Sequence, residues 1–515
     1  MASRWEDASD PLITSVVEDS RQVSPGACFV ARAGSRSDGH RYVQDAIKAG
    51  AGAVIHERPL TLPPGVAGLR VDSARGVVGR LASTLYGVSR LQREGRLQVV
   101  GVTGTNGKST FCFLARAILR QAGHPTALLG TIEYDLLSRQ IDASLTTPAP
   151  ADLMSYLRET AGAGATHAVM EVSSIALDQG RCDGIRFAVA VFSNLTGDHL
   201  DYHGDMVNYL AAKKRLFDGL EPGAVAVVNG DDPAADQIVA DCEARVIRYS
   251  ILPAGRSAPE RPHIAGRAPF IDLSARVQAY TAEGTRFELI MTRPVDSAQP
   301  QSETCVIESP LVGRHNVQNS LAAAGAAVGL GVPLQSVAEG LRSVSSVPGR
   351  LQRVSARSAD GAEPGFSVLV DYAHTDDALA NVLSALRPLA GGRLIVLFGC
   401  GGDRDATKRP RMARVAARHA DQIIVTSDNP RSEDPELIIR EIMAGFAPGD
   451  LNRVTSEPDR RRAIGLAVGM AEPGDVLLLA GKGHETYQLV GKERLEFDDA
   501  AVAAEFLSAR RGASR

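Results

Sequence analysis

The segment Gly101-Val-Thr-Gly-Thr-Asn-Gly-Lys-Ser-Thr110 holds the residue types that bind the phosphates of a nucleotide. Gly104 and Gly107 let backbone N–H groups approach phosphate oxygens, and a helix starting at the end of the segment adds partial positive charge. Lys108 has the reach to meet the terminal phosphates, and the Ser109 hydroxyl suits Mg²⁺. Thr105, Asn106 and Thr110 complete the set. The glycine pattern is loose: Val102 stands where the first glycine is usual, with Gly101 one residue earlier. The flanks supply the missing context. Leu97, Val99, Val100 and Val102 predict a buried strand before the loop, and Phe111, Phe113, Leu114, Ile118 and Leu119 an amphipathic helix after it.

Further along, Glu171 closes an apolar run and is followed by Val172, Ser173 and Ser174. A carboxylate at a strand end in a phosphate-loop domain is a natural Mg²⁺ ligand. Thr146 and Thr147 precede that strand. The stretch from Asn194 to Met206 packs Asp198, His199, Asp201 and His203 together, and Lys213 and Lys214 follow on a predicted helix over residues 206–220. Towards the carboxyl terminus, four apolar runs end in polar, glycine-bearing segments: Asp371-Tyr-Ala-His374, Cys400-Gly-Gly-Asp403, Ser427-Asp-Asn-Pro-Arg431 and Gly481-Lys-Gly-His-Glu485. Ligands of open α/β sheets bind beyond the carboxyl ends of the strands, so four such ends predict a second site.

The elements that must position these residues read as α/β throughout. Strands over residues 27–31 and 53–55 flank a helix over 42–49. Strands over 168–172, 188–192 and 224–228 alternate with helical patterns, the signature of a mostly parallel sheet. Residues 252–310 break the rhythm and read as an antiparallel appendage. Strands over 367–372, 393–399, 422–426 and 475–479 form a third block after a hinge at 347–350. Three domains are expected: a smaller N-terminal α/β domain over 1–95, a central phosphate-loop domain over 96–346, and a Rossmann-like C-terminal domain over 347–515.

Bulk properties exclude several classes. A chain of 515 residues exceeds one ordinary core. A net charge of -4 leaves no basic footprint for nucleic acid. No apolar run is long enough to span a bilayer, and the polar start MASRWEDASD does not read as a secretory signal. The six cysteines are scattered without a Cys-x-x-Cys pair, which argues for reduced thiols of a cytoplasmic protein rather than zinc or disulfides.

Taken in order, these motifs closely resemble those of the Mur ligases, the ATP-dependent amide-forming enzymes of peptidoglycan assembly. The resemblance covers nearly the whole chain. It rests on residues 104–109, Thr146-Thr-Pro148, Glu171-Val-Ser-Ser174, the 194–206 run, Gly313-Arg-His-Asn-Val-Gln-Asn319, Pro348-Gly-Arg350 and Asp371-Tyr-Ala-His374. Within the family, residues 198–204, 428–431 and 481–485 are similar to those of members that add meso-2,6-diaminopimelate to a UDP-linked N-acetylmuramoyl-L-alanyl-D-glutamate.

The resemblance implies roles. Lys108, Glu171, His199 and Lys213 would be catalytic. Ser109 and Glu171 would hold one Mg²⁺ and His199 a second, and a carbamate on Lys213 (N6-carboxylysine) would also bind metal. Residues 104–110, Asn316, Asn319, Arg350, Asp371, Tyr372 and His374 would contact ATP. Ser20, Ser35, Arg36 and Ser37 would hold the uridine end, and Thr146, Thr147, Ser173, Gln179 and Arg181 the muramoyl dipeptide. Arg409, Asp428, Asn429, Pro430, Arg431, Gly481 and Glu485 would hold the incoming amino acid. The implied protein is a cytoplasmic monomer serving cell-wall synthesis, cell shape and division, with small-molecule partners only. Ile175, Asp376 and the Leu351-Gln-Arg353 stretch depart from the family pattern. The implied reaction activates the D-glutamate γ-carboxylate as an acyl phosphate, which the amine of the third amino acid displaces. The alternative is the same ligation with L-lysine. A folylpolyglutamate-type synthetase lacks the 428–431 segment and a substantial first domain, and a non-catalytic ATP-binding protein would not need Lys108, Glu171, His199 and Lys213 together.

Overall fold

Runs of Val, Ile, Leu and Ala that are apolar on both faces form the central strands of every sheet, as parallel sheets covered by helices require. The computed structural model describes residues 4–5, 11–33, 37–253, 270–293, 301–355 and 365–510. The fold is α/β, with a five-stranded, an eleven-stranded and a six-stranded sheet in three successive domains. Contacts between Cα atoms group residues 1–276, 288–305 and 318–343 into one compact unit, and 277–287, 306–317 and 344–515 into another.

In the N-terminal sheet, Ser15–Val17, Ala27–Ala31, Ala53–His56 and Ala67–Arg70 run parallel, and Arg4–Trp5 pairs antiparallel at one edge. The large sheet has Gln98–Thr103 at its heart, between His167–Glu171 and Phe187–Phe192, all parallel. Its register sets Glu171 opposite Val102 and Phe192 opposite Thr103. The segments after all three strands therefore emerge side by side. Thr126–Leu129 and Arg245–Ile251, two parallel strands not anticipated from the sequence, extend it. The expected antiparallel appendage is corrected only where it joins the sheet: Ile271–Tyr280 pairs parallel with Arg245–Ile251, and a tight turn at 281–284 then leads back along Thr285–Arg293, with Arg276 facing Glu288 and Gln278 facing Arg286. The sheet then continues through Thr285–Arg293 to Gln301–Ser309.

The C-terminal sheet orders its strands as Gln352–Arg353, Ser367–Asp371, Val476–Ala480, Leu394–Phe398, Gln422–Val425 and Val454–Ser456. The four predicted strands are adjacent and parallel, so their polar ends share one edge. Helices Asp376–Leu386, Lys408–His419 and Pro435–Met443 bury Leu379, Leu383, Met412, Ile438 and Ile442 against one face. The segment 347–350, where the sequence suggests a hinge, follows the change of compact unit at 343/344 and makes a turn. Gly349 accepts a backbone hydrogen bond from Tyr372, and a Cβ there would lie 2.1 Å from the backbone nitrogen of His484.

Candidate active site

The phosphate loop connects Gln98–Thr103 to the helix Lys108–Gln121. Gly104 is needed for close approach, since a Cβ would sit 1.9 Å from Ser193 Oγ. The segment after Phe187–Phe192 braces the loop. Ser193 Oγ donates to Asn106 O at 2.6 Å, and Asn106 N donates to Asn194 Oδ1 at 2.9 Å. Thr105 Oγ1 lies 3.2 Å from Tyr209 OH. Lys108 Nζ donates to the Gly104 and Thr105 carbonyls at 3.1 and 2.8 Å, which folds its ammonium over the loop. Asn319, on the helix Arg314–Gly329, brings its Oδ1 against Gly107.

Glu171 is buried directly beside this loop. Its Oε1 accepts from Ser109 Oγ at 2.9 Å and Thr131 N at 2.8 Å, and its Oε2 from Thr131 Oγ1 at 3.0 Å. These donors are neutral, so a cation would complement the carboxylate's charge. Among the described residues no three His, Cys, Asp or Glu side chains converge as a metal cluster. A serine hydroxyl with one carboxylate nonetheless fits Mg²⁺, which takes few protein ligands and completes its shell with phosphate oxygens and water.

Lys213 comes from the helix Met206–Asp218, capped by Asp205. Its side chain is 1 % exposed, donates from Nζ to Gly104 O at 2.8 Å, and lies over the Tyr209 ring. Burial pushes the amine well below the usual lysine range; nearby Lys108 adds to the effect and Asp198 opposes it. His199 caps the short helix Leu200–His203 with φ +53 and keeps a half-exposed side chain, its Nε2 3.6 Å from Asp198 Oδ2. His203 instead turns inward to Ser174 Oγ at 3.0 Å.

The residues expected at the dipeptide converge around one point. Thr147 Oγ1 donates to Glu171 O at 2.9 Å and lies 3.4 Å from Ser173 Oγ. Arg181 donates to Thr147 O at 3.0 Å and grips Gln179 Oε1 with two nitrogens. Thr131 Oγ1, its proton on Glu171, lies 3.0 Å from Thr146 Oγ1, which can donate to it. Thr131 links these threonines to Glu171 and was missed, because a lone threonine after Gly130 carries no sequence signal. In the first domain, Ser20 lies on a short 3₁₀ turn capped by Asp19, and Ser37 Oγ donates to Tyr42 OH. Ser35 and Arg36 lie outside the described residues.

A second set gathers at the C-terminal sheet edge. Asp371 accepts from the backbone nitrogens of Leu351 and Ala373, and its carboxyl is raised by burial against the opposing charge of Arg350. The Arg350 guanidinium lies 4.9 Å from the Tyr372 ring centre, and His374 packs on the same ring. Asn316 donates to Val312 O at 2.8 Å. Asn429 Nδ2 donates to Glu485 Oε2 at 2.8 Å. Arg431 has φ +51, a left-handed conformation that costs a non-glycine residue energy. Two backbone hydrogen bonds hold it there, Arg431 N to Leu489 O and Gly491 N to Arg431 O. One of its guanidinium nitrogens donates to Gly402 O at 2.8 Å. The Pro430 carbonyl abuts Gly402, and Gly481 faces Asp428 Oδ2.

Arg409 requires correction. Its side chain is 1 % exposed, with Nη1 on Glu441 Oε2 at 2.7 Å and Nη2 on Glu433 Oε1 at 3.0 Å, while the buried Nε finds no hydrogen-bond partner among the described residues. It ties helix Lys408–His419 to Pro435–Met443 and to the loop bearing Glu433, so both terminal nitrogens of its fork are engaged with carboxylates of the protein. Arg404, exposed in the preceding loop, carries no ion pair among the described residues. Lys482 and His484 were also missed as individual residues. Lys482 is fully buried beneath Asp428 and Glu485. His484 is half-buried, its Nδ1 enclosed with no hydrogen-bond partner among the described residues, and burial together with Arg350 lowers it to about 4.

Three family models match successive parts of the chain. Residues 12–86 match the Mur ligase family catalytic domain, 102–327 the Mur ligase middle domain, and 349–483 the Mur ligase glutamate ligase domain. The chain belongs to the Mur ligase family. This ligase is 43% identical over 499 residues to the UDP-N-acetylmuramoyl-L-alanyl-D-glutamate–2,6-diaminopimelate ligase of Solibacter usitatus, covering 96% of this chain and 93% of that one. It is 43% identical to the protein of the same name from Gloeobacter violaceus, covering 97% and 94%. A solved structure of a ligase of that name superposes with a TM-score of 0.66 at 32% identity, covering 96% and 94%. In this Mur ligase no described helix is long and apolar enough to cross a membrane.

Proposed function

We propose that this ligase joins meso-2,6-diaminopimelate to the D-glutamate γ-carboxylate of UDP-N-acetylmuramoyl-L-alanyl-D-glutamate, with ATP cleaved to ADP and phosphate. The work is done in the cytoplasm by a monomer, for peptidoglycan synthesis. The observation that carries the reading is Arg431, held in a strained conformation by two backbone hydrogen bonds beside Asp428, Asn429 and Glu485. A guanidinium and a carboxylate pair at one sheet edge suit a ligand end bearing both a carboxylate and an ammonium. Meso-diaminopimelate has such a distal end, and L-lysine lacks its carboxylate. Exposed Arg404, not Arg409, is the second guanidinium we assign to this ligand.

The chemistry follows from what each residue can hold. Loop amides of residues 104–110 and Lys108 grip the phosphates and stabilise the charge that builds as the γ-phosphoryl group transfers. The γ-carboxylate attacks that phosphorus, its oxygen bonding as the bond to ADP breaks. The amine then adds to the acyl carbon and phosphate leaves. Thr146, Thr147, Ser173, Gln179 and Arg181 orient the dipeptide, and Ser20 with the 35–37 loop the uridine end. Ser109 and Glu171 would hold one Mg²⁺, and His199 with the Lys213 carbamate a second; the ions offset repulsion between two anionic reactants. Lys213 is suited to carbamylation because only an unprotonated amine attacks CO₂, and its burial favours that form. Asn316, Asn319, Arg350, Asp371, Tyr372 and His374 serve ATP.

The test is ADP release with ATP, Mg²⁺ and the UDP-linked dipeptide, comparing amino acids. We expect kcat/KM for meso-diaminopimelate to exceed that for L-lysine by about a thousandfold or more, since lysine leaves a guanidinium unpaired. Equal values, or a preference for lysine, overturn the substrate reading. No amine-dependent ADP release overturns the ligase reading.

A further inference from the structure

Lys482 lies in the segment after the strand Val476–Ala480, at the edge that carries Arg431. Its side chain is fully buried. An ammonium is withdrawn from water only where partners replace the water, and three residues from two strand ends do so here. Nζ donates to Asn429 Oδ1 at 3.1 Å and lies 3.4 Å from Asp428 Oδ1 and 3.6 Å from Glu485 Oε2.

This contact also settles which way the Asn429 amide points. Its Oδ1 accepts from both Lys482 Nζ and the Leu489 backbone nitrogen, so its Nδ2 must face the other way. There it donates to Glu485 Oε2 at 2.8 Å. Glu485 is thus steered twice by Lys482, directly and through Asn429. Beneath this layer Arg460 and Asp499 form a fully buried pair, and Arg460 donates to the carbonyls of Ser427 and Ala480, the roots of the two segments. That pair is neutral in sum. The charge facing the site is then two carboxylates against one ammonium, a surplus of one negative charge beside the Arg431 guanidinium. A ligand end with one ammonium and one carboxylate complements it.

We propose that Lys482 is a positioning and specificity-setting residue: sealed from the ligand, it locks Asp428, Asn429 and Glu485 into one register, so that this set receives the ammonium of the incoming amino acid while Arg431 receives its carboxylate. This rests on the amino-acid site proposed above. Lys482 touches no ligand, so its removal acts on one substrate only.

The test uses the full-length enzyme and reads all three substrate constants through ADP release. Lys482→Met should raise KM for diaminopimelate at least about thirtyfold, with KM for ATP and for the UDP-linked dipeptide within about twofold of wild type. Lys482→Arg keeps the charge but not the compact head, and should raise the same KM by only about three- to tenfold. A diaminopimelate KM within threefold of wild type in Lys482→Met overturns the proposal. So does a rise shared equally by all three substrates, or an arginine variant no better than the methionine one. If Lys482→Met does not fold, Lys482→Arg decides: a selective rise supports the role, and a change below threefold removes it. A wild type that uses L-lysine fails the substrate reading alone, and the same ratios are then read with L-lysine.

Discussion

Lys213 and Lys214 are consecutive and meet opposite surroundings. Lys213 is sealed against Gly104 with its amine pushed towards the neutral form by burial. Lys214 is also partly buried, but Asp218 and Asp241 outweigh that and hold it charged. Lys213→Ala should therefore abolish nearly all turnover, whereas Lys214→Ala should keep most of it. Mass spectrometry under bicarbonate should find the carbamate on Lys213 only. Equal activity of wild type and Lys213→Ala would refute the role. Lys108 is the other decisive cation. Lys108→Ala should remove on the order of several kcal/mol of transition-state stabilisation with circular dichroism unchanged. Turnover above about a tenth of wild type would count against it. Arg409 shows where residue type alone misleads. An arginine near a glycine-rich strand end reads as a ligand clamp, and only the positions of Glu433 and Glu441 reveal a structural tie.

At the scale of elements, both candidate sites are built from segments that leave adjacent parallel strands at their carboxyl ends. The phosphate loop leans on the segment after Phe187–Phe192, and Glu171 reaches it from the strand on the other side. In the C-terminal sheet the turn at 347–350 packs against the loop holding Lys482 and Glu485. Gly349 has φ +64, and any Cβ there would strike the backbone of Gly483 and His484. Backbone cannot rotate away as a side chain can. Gly349→Ala should cost at least about 2 kcal/mol and displace the 481–485 loop. The expected result is a lowered melting temperature together with a raised KM for the amino acid. A variant with wild-type melting temperature and wild-type KM would show that the turn does not support the loop.

For the whole molecule, buried histidines predict how stability responds to acid. Burial, helped by His124, lowers His167 to about 4, and His484 is lowered to about 4 in the other compact unit. The ordinary histidine value is near 6.5, so between these limits the unfolded chain binds more protons than the folded one. Stability is then full above about pH 6.5 and falls as pH drops towards about 4, at up to about 1.4 kcal/mol per pH unit for each histidine. Carboxylates also respond to acid, so the discriminating quantity is a difference between variants. Thermal scans from pH 7 to 4.5 should show a shallower pH dependence for His167→Gln than for wild type. Parallel curves would mean that His167 does not contribute.

The phosphate loop, the parallel α/β alternation and the four polar strand ends follow from local pattern alone. A glycine-rich turn between an apolar run and an amphipathic helix is a property of neighbours in the chain. So are the strands Ser367–Asp371, Leu394–Phe398, Gln422–Val425 and Val476–Ala480. What local pattern could not decide is which strands lie side by side, because strand order depends on crossovers that bury both faces of a sheet. That order brings Thr131 and Ser109 to Glu171, and Lys482 under Asp428 and Glu485. It also turns Arg409 inward, and joins the antiparallel appendage to the sheet through a parallel strand, Ile271–Tyr280. Residue types set what chemistry is available, and burial and adjacency, which exist only once the chain has folded, set which side chain is charged, which is neutral and which is spent on holding another in place.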